Sequence, residues 1–338
     1  MANLWIEGFD QYGSTNDAGL AGMVDRYPIT AGSTPVVKAG RLFGKALGNS
    51  NGATNFTFRT DDFGNKSTLI VGAAFYFDNV FSDRLITIFE PGSIDGFNLR
   101  LTSGNALAVH RANSSALNTS AGVISPDTWY YIELRVTIGN AGVGSYEIRV
   151  NGTNVLSDSD EDTQAGSTAA GNQVQFHVRI NNNCFIDDMY INDSTGSQNN
   201  GFLGDCRVET LFPNGVGSSS DFTPSAMADN YTLVDDDGFD GDSTYVESTN
   251  PTDLDLYEFT NITASELIHS LQFTVIARKT DVTDYDIILR LDGLGGSAVT
   301  VNSTSYSSFT QIYEVNPDTT LAWLDTEING SEFGYEVD

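Results

Sequence analysis

The sequence predicts an all-β chain built as two sandwiches, and three observations predict it. Apolar and polar residues alternate with period 2 through one segment after another. Gly, Asn and Asp clusters punctuate those segments, and no long stretch repeats with the 3.6-residue period of a helix. Such a pattern leaves under about 10% of the chain for α-helix. With 338 residues, 40% of them apolar and 11% aromatic, there is enough material for two separate cores.

Taken in order, Leu69 to Phe77 is apolar at both phases, as expected of a strand covered on both faces. Phe97, Leu99 and Leu101 alternate with polar neighbours. In the stretch Trp129–Ile138, the residues Tyr130, Ile132, Leu134, Val136 and Ile138 share the core face. Trp129, Tyr131, Glu133, Arg135 and Thr137 form the other, wet or aromatic, face. Tyr146, Ile148 and Val150 lead into Asn151-Gly152, the pair whose positive φ a two-residue hairpin demands. Val174, Phe176, Val178 and Ile180 form a further strand. The polar stretch 194–200 then interrupts the pattern, which predicts one domain over 1–200 and a smaller one over 201–338.

In the second half, strands are expected around Leu271, Phe273 and Val275, around Tyr285, Ile287, Leu289 and Leu291, and around Phe333, Tyr335 and Val337. Short helical turns fit only 264–271 and 225–231.

Charge excludes some functions. Sixteen Lys plus Arg stand against 45 Asp plus Glu, a formal charge of −29, so nucleic acid and anionic membrane surfaces are repelled. No positively charged segment followed by an apolar core opens the chain, and no apolar run approaches the ~18 residues that span a bilayer. Neither a cleaved leader nor a membrane span is expected, and the sequons at Asn55, Asn151 and Asn329 are therefore read as unglycosylated. Cys184 and Cys206 cannot build a metal cage, and are expected as free thiols, with a single bridge the alternative.

Motifs for catalysis are missing. A glycosidase of jelly-roll type needs paired carboxylates, typically Glu-x-Asp-x-x-Glu on one strand. The nearest string, 185–193, contains Asp187, Asp188 and Asp193 but no Glu. Asp187 and Asp188 are read as structural, bonding backbone amides at a bulge or strand end. His110, His177 and His269 lie in unrelated contexts and no Gly-x-Ser-x-Gly elbow occurs, so they are read as solvated strand histidines. The richest acidic run, 235–247, offers Asp236, Asp240, Asp242 and Glu247 at positions 1, 5, 7 and 12 of a Ca²⁺ loop, with Gly241 at position 6. Gly238 at position 3 and the lack of flanking helices favour a solvated acidic turn. Ca²⁺ is the one cofactor the sequence admits.

The residues Ile6–Tyr12, Trp129–Glu133, Val150–Gly152 and Phe185–Ile191, in that order, resemble a concanavalin A-like (laminin G-type) jelly roll. The stretch 201–215, with Tyr245–Ser248, Glu314–Pro317, Ala322-Trp323 and Glu332–Val337, is similar to a module of tailed-bacteriophage virion proteins. That resemblance implies a non-enzymatic structural protein of the virion, at the tail tip or fibre, with a host surface glycan as a ligand open to it. Head decoration, a polysaccharide depolymerase and a free bacterial lectin or adhesin are the alternatives. It further implies other virion proteins as partners, assembly in several copies, and a location in the virion. Edge strands must be blunted or used. Asn3–Ile6, carrying Trp5, and Phe333–Val337 are thus expected either to complete their own sandwiches or to dock on a neighbour, the N-terminal strand being the attachment side.

Overall fold

The computed structural model describes residues 2–13, 23, 26–27, 29–31, 35–49, 55–79, 81–179, 184–262, 267–292 and 294–338. It is 51% strand and 5% helix, a concanavalin A-like jelly roll followed by a smaller β-sandwich. Its two compact units are Met1–Phe9 with Tyr27–Val208, and Asp10–Arg26 with Glu209–Asp338. The first therefore runs past residue 200: after the polar stretch, 201–208 returns to the sandwich it has just left.

Among the described residues the first unit has two antiparallel sheets. In the first sheet, β13 (Thr153–Glu161), β12 (Gly144–Val150), β11 (Thr128–Thr137), β6 (Thr68–Phe77), β15 (Phe185–Asp193), β4 (Lys45–Asn49) and β3 (Pro35–Ala39) lie side by side, with β1 (Asn3–Glu7) also on β15. In the second the order is β10 (Ala116–Gly122), β9 (Ala106–Arg111), β8 (Ile94–Leu101), β7 (Asp83–Glu90), β14 (Gln173–Val178), β5 (Phe56–Arg59) and β2 (Ile29–Ala31). The core forms where the inward phases meet. Ile132, Leu134 and Val136 are fully buried, and Phe97 of β8 packs against Tyr146 of β12 with ring centroids 5.7 Å apart. The β12–β13 turn has φ of 48° at Asn151 and 76° at Gly152, the geometry the Asn-Gly pair predicts.

The outer face of the first sheet is covered by the unit's own chain. Ile70, Ala74, Tyr131 and Tyr190 form an apolar cluster there beneath Phe202, Leu203 and Cys206. Of the wet or aromatic face expected for β11, Tyr131 and Glu133 are 1% and 0% exposed, whereas Arg135 stays exposed. The cover also explains why β6 is apolar at both phases, since both of its faces are covered. Tyr190 donates to Glu133 Oε1 at 2.5 Å, and the amide of Gly204 donates to the same oxygen at 2.9 Å. Arg41 bonds the carbonyl of Cys206 at 2.7 Å and Asp188 at 3.0 Å, and it also pairs with Asp205.

The N-terminal strand completes its own sandwich. Trp5 is only 8% exposed, and its indole donates to Tyr27 Oη at 3.1 Å.

Among its described residues the second unit has a five-stranded sheet in the order β16 (Pro213–Ser220), β19 (Leu254–Phe259), β24 (Phe333–Val337), β21 (Tyr285–Leu291) and β22 (Leu294–Val301). The expected edge strand Phe333–Val337 therefore lies in the interior, paired on both sides. The pair β20 (Leu271–Ala277) and β23 (Ser307–Tyr313) packs over this sheet through a core of Phe273, Leu289, Trp323, Ile328 and Phe333. A further short pair joins β17 (Thr223–Pro224) to β18 (Val246–Glu247). Of the expected helical turns, 225–231 gives only the start of a 3₁₀ turn at Asn230–Leu233. In 264–271, residues 264–266 lie outside the described residues, and Leu271 opens a strand. One α-helix not expected from periodicity, α1 (Asp325–Gly330), buries Ile328, and Glu327 accepts the Leu324 amide at 3.0 Å. Six residues are too few for a period to show.

Candidate functional site

The outer face of the second sheet carries a polar row that crosses it strand by strand. Register places Arg59 beside Gln175, Gln175 beside Thr87, Thr87 beside Asn98, and Asn98 beside His110. Alternation dictates this. Phe176 and Leu99 point into the core at 0% exposure, so their neighbours must face outward.

These side chains are joined in a relay. Arg59 donates from Nε and Nη2 to Gln175 Oε1 at 3.0 and 2.9 Å. That turns the Gln175 amide nitrogen toward His177 Nε2, 3.3 Å away, and makes the imidazole nitrogen the acceptor. Thr87 Oγ1 lies 3.0 Å from the same nitrogen and 2.8 Å from Asn98 Oδ1, a hydroxyl that can turn to either. Asn98 then donates to Asp95 Oδ1 at 3.1 Å and to the carbonyl of Ala112 at 3.0 Å, and Arg84 bonds Asp95 Oδ2 at 2.5 Å. Thr87, Asn98 and Gln175 form a buried floor, and Arg59, Arg84, Arg100 and His177 are half-buried above it.

Its electrostatics oppose those of the whole chain. Arg59, Arg84 and Arg100 gather around one carboxylate, Asp95, while the nearby Asp83 is paired with Arg179 at 3.3 Å. Burial lowers the pKa of Arg59, and burial together with the charge of Arg84 lowers that of Arg100. Burial, and then Arg84, push His177 down to about 4, so the imidazole is neutral at physiological pH. The solvated histidine expected from the sequence is thus a desolvated one, held down by its setting between guanidinium groups. Arg59 also lies over the Phe89 ring, 3.4 Å from its centroid.

The other sequence candidates are placed as follows. Asp187 and Asp188 sit at a bulge where Asp188 has φ 51°. Asp187 accepts the amides of Arg41 and Asp188, each at 2.8 Å, and Asp188 accepts that of Val208 at 2.8 Å, the structural role read from the sequence. Asp236 and Asp240 come together on Thr244 Oγ1, at 3.4 and 2.9 Å. Burial and Asp240 raise Asp236 to about 6. Asp242 instead turns to Arg278 at 2.9 Å and Tyr306 at 2.7 Å, and Glu247 lies on β18 opposite Thr223. Among the described residues no three His, Cys, Asp or Glu side chains converge as a metal site. Cys184 and Cys206 are free, and burial raises both thiols to about 12. A shallow depression on the second unit, lined by Ser218, Leu256, Asp292 and Glu332, has its carboxylates occupied by Ser218 and by the Glu332 amide.

No protein-family model and no curated protein matches the chain. Its structure is similar to an endo-β-1,4-glucuronan lyase from the fungus Trichoderma reesei, at 12% identity and TM-score 0.40 over 56% of this chain and 95% of that one. It is similar to the carbohydrate-binding module CBM66 from Bacillus subtilis, at 9% identity and TM-score 0.33 over 48% and 95%. It is also similar to a carbohydrate esterase from the Shiga toxin-encoding bacteriophage phi24B, at 13% identity and TM-score 0.35 over 56% and 99%. Likenesses this distant assign neither substrate nor activity to the chain.

Proposed function

We propose that the chain is a non-enzymatic structural protein of a tailed-bacteriophage virion, associated with the tail, whose first unit holds a host surface glycan on the outer face of its second sheet. The virion and the tail rest on the resemblance of residues 201–338 to virion modules. The glycan rests on one observation, the hydrogen-bonded row from Arg59 through Gln175, His177, Thr87 and Asn98 to Asp95. Thr87 and Asn98 are themselves 0% exposed, so the row supports the reading by fixing the half-buried Arg59, Arg84, Arg100 and His177 above it, and groups fixed in advance lose little freedom when a ligand arrives.

The rival is a depolymerase with His177 as its base, favoured by the neutral imidazole. A base works best with a pKa near the working pH, and His177 at about 4 is a weak proton acceptor. The one carboxylate in the row, Asp95, is tied to Arg84. Binding is therefore the better reading. Other virion proteins and further copies of the chain are its proposed partners.

Two measurements test it. Mass spectrometry of purified particles should find the chain among tail components, and its absence there would remove the virion reading. A glycan array should show binding that Gln175→Ala and His177→Ala each weaken, with no oligosaccharide released; reproducible release would favour the depolymerase.

A further inference from the structure

Resting on the glycan reading, we infer that the ligand of this face is a carboxylated polysaccharide, gripped through Arg59 and Arg100. The chain has 16 cationic residues and 45 acidic ones, so an arginine without a carboxylate is unexpected in it. Among the described residues, neither Arg59 nor Arg100 hydrogen-bonds a carboxylate, although the charge of Asp95 reaches both. Arg59 is spent on Gln175, and Arg100 reaches only the Ala112 carbonyl and the Asn113 side chain, each at 3.4 Å. The Nε of Arg100 is buried with no hydrogen-bond partner. Leaving a charged donor unsatisfied is costly unless something else comes to fill it.

Spacing selects among anions. Arg59 on β5 and Arg100 on β8 are three strands apart, about 14 Å across the sheet. Asp95 acts on both through its charge but hydrogen-bonds neither, whereas a chain with repeated carboxylates can pair with each in turn. Between them lies the half-buried His177, a neutral group that suits hydroxyls, held by the buried Gln175 and Thr87. A planar guanidinium pairs with a carboxylate through two parallel hydrogen bonds. The −29 charge of the chain disfavours nucleic acid, and leaves this face as a local exception.

Affinity electrophoresis and calorimetry of the full chain at low ionic strength test the inference. The probes are polygalacturonate, its fully methyl-esterified form, neutral dextran, polyphosphate and inorganic phosphate. Polygalacturonate should bind at least about tenfold more tightly than the ester, and should weaken as salt rises. Arg59→Gln and Arg100→Gln should each weaken it about tenfold or more, while Arg135→Gln, an exposed charge on the first sheet, should leave it unchanged. Should Arg59→Gln fail to melt cooperatively, Arg59→Lys serves in its place, since it keeps the charge and loses the paired hydrogen bonds. Binding of dextran or the ester as tight as that of polygalacturonate would overturn the acidic ligand and leave the glycan reading standing. Equal binding of polyphosphate, or full competition by inorganic phosphate, would show an unselective anion site and overturn it too. Binding by none of the sugars would remove both readings.

Discussion

The two sheets of the first unit have outer faces that differ in what lies over them. Over the first sheet the chain returns as residues 202–208, so Tyr131, Glu133 and Tyr190 are buried, and Arg41 joins Asp188 to that returning segment. On the second sheet, Arg59, Arg84, Arg100 and His177 stay half-buried above a buried polar floor. Both faces carry charge, but on the first Arg41 pairs with Asp188 and Glu133 accepts from Tyr190 and Gly204 within the unit, whereas on the second Arg59 and Arg100 hydrogen-bond no carboxylate among the described residues. The difference teaches where stability and function divide. A satisfied buried network specifies and holds a fold, while an unsatisfied one is a place for something else to bind.

The largest expected effect is on the covered face. Arg41→Ala would leave Asp188 buried without its counter-charge, and should cost about 3–5 kcal/mol in chemical denaturation. A loss below about 1 kcal/mol would show that the returning segment is held by apolar contact alone and would blur the comparison.

Next comes pH, on the open face. His177 has a folded pKa of about 4 against an unfolded value of about 6.5. Between those values the unfolded state binds more protons, so stability rises with pH through this window and falls on acidification. His177→Gln should remove that component, on the order of 1–2 kcal/mol between pH 7 and pH 4 once partial exposure is allowed for. Melting curves of the two proteins across that range measure it, and parallel curves would mean that the imidazole is solvated after all.

The smallest effect is the most informative. Arg100→Gln removes a like charge beside Arg84 and a buried Nε with no partner. It should leave the melting temperature unchanged or raise it slightly, within about 0.5 kcal/mol, while weakening the ligand. A residue kept at no gain to stability is the mark of a binding face. Clear destabilisation by this change would instead make Arg100 a structural residue like Arg41.

Much of this was legible in the sequence, for physical reasons. Period-2 alternation is written locally, so β8, β11, β12, β14 and β24 could be read directly, as could the Asn-Gly turn and the amide-bonding role of Asp187 and Asp188. Apolar residues at both phases of β6 announced a cover, but not that residues 202–208 supply it, because nothing local encodes a contact between positions about 130 apart. The same limit hid the polar row. Gln173, Gln175 and His177 occupy the outward phase of β14, which was visible, but Arg59, Thr87 and Asn98 join them only through strand order. The acidic run was conspicuous in composition, yet Asp242 is turned by Arg278 and Tyr306, residues far along the chain.

The interior position of β24 sets an order of events during synthesis. In the second unit β19 and β21 are neighbours of β24 and not of each other, so the five-stranded sheet lacks its middle until residues 333–337 have emerged from the ribosome. In the first unit the strand on which β1 pairs among the described residues, β15, arrives some 180 residues later. Each unit therefore closes only when its own late strand is made, and nascent chains stalled before residue 333 should present β19 and β21 as open edges to whatever chaperone or sister chain is near.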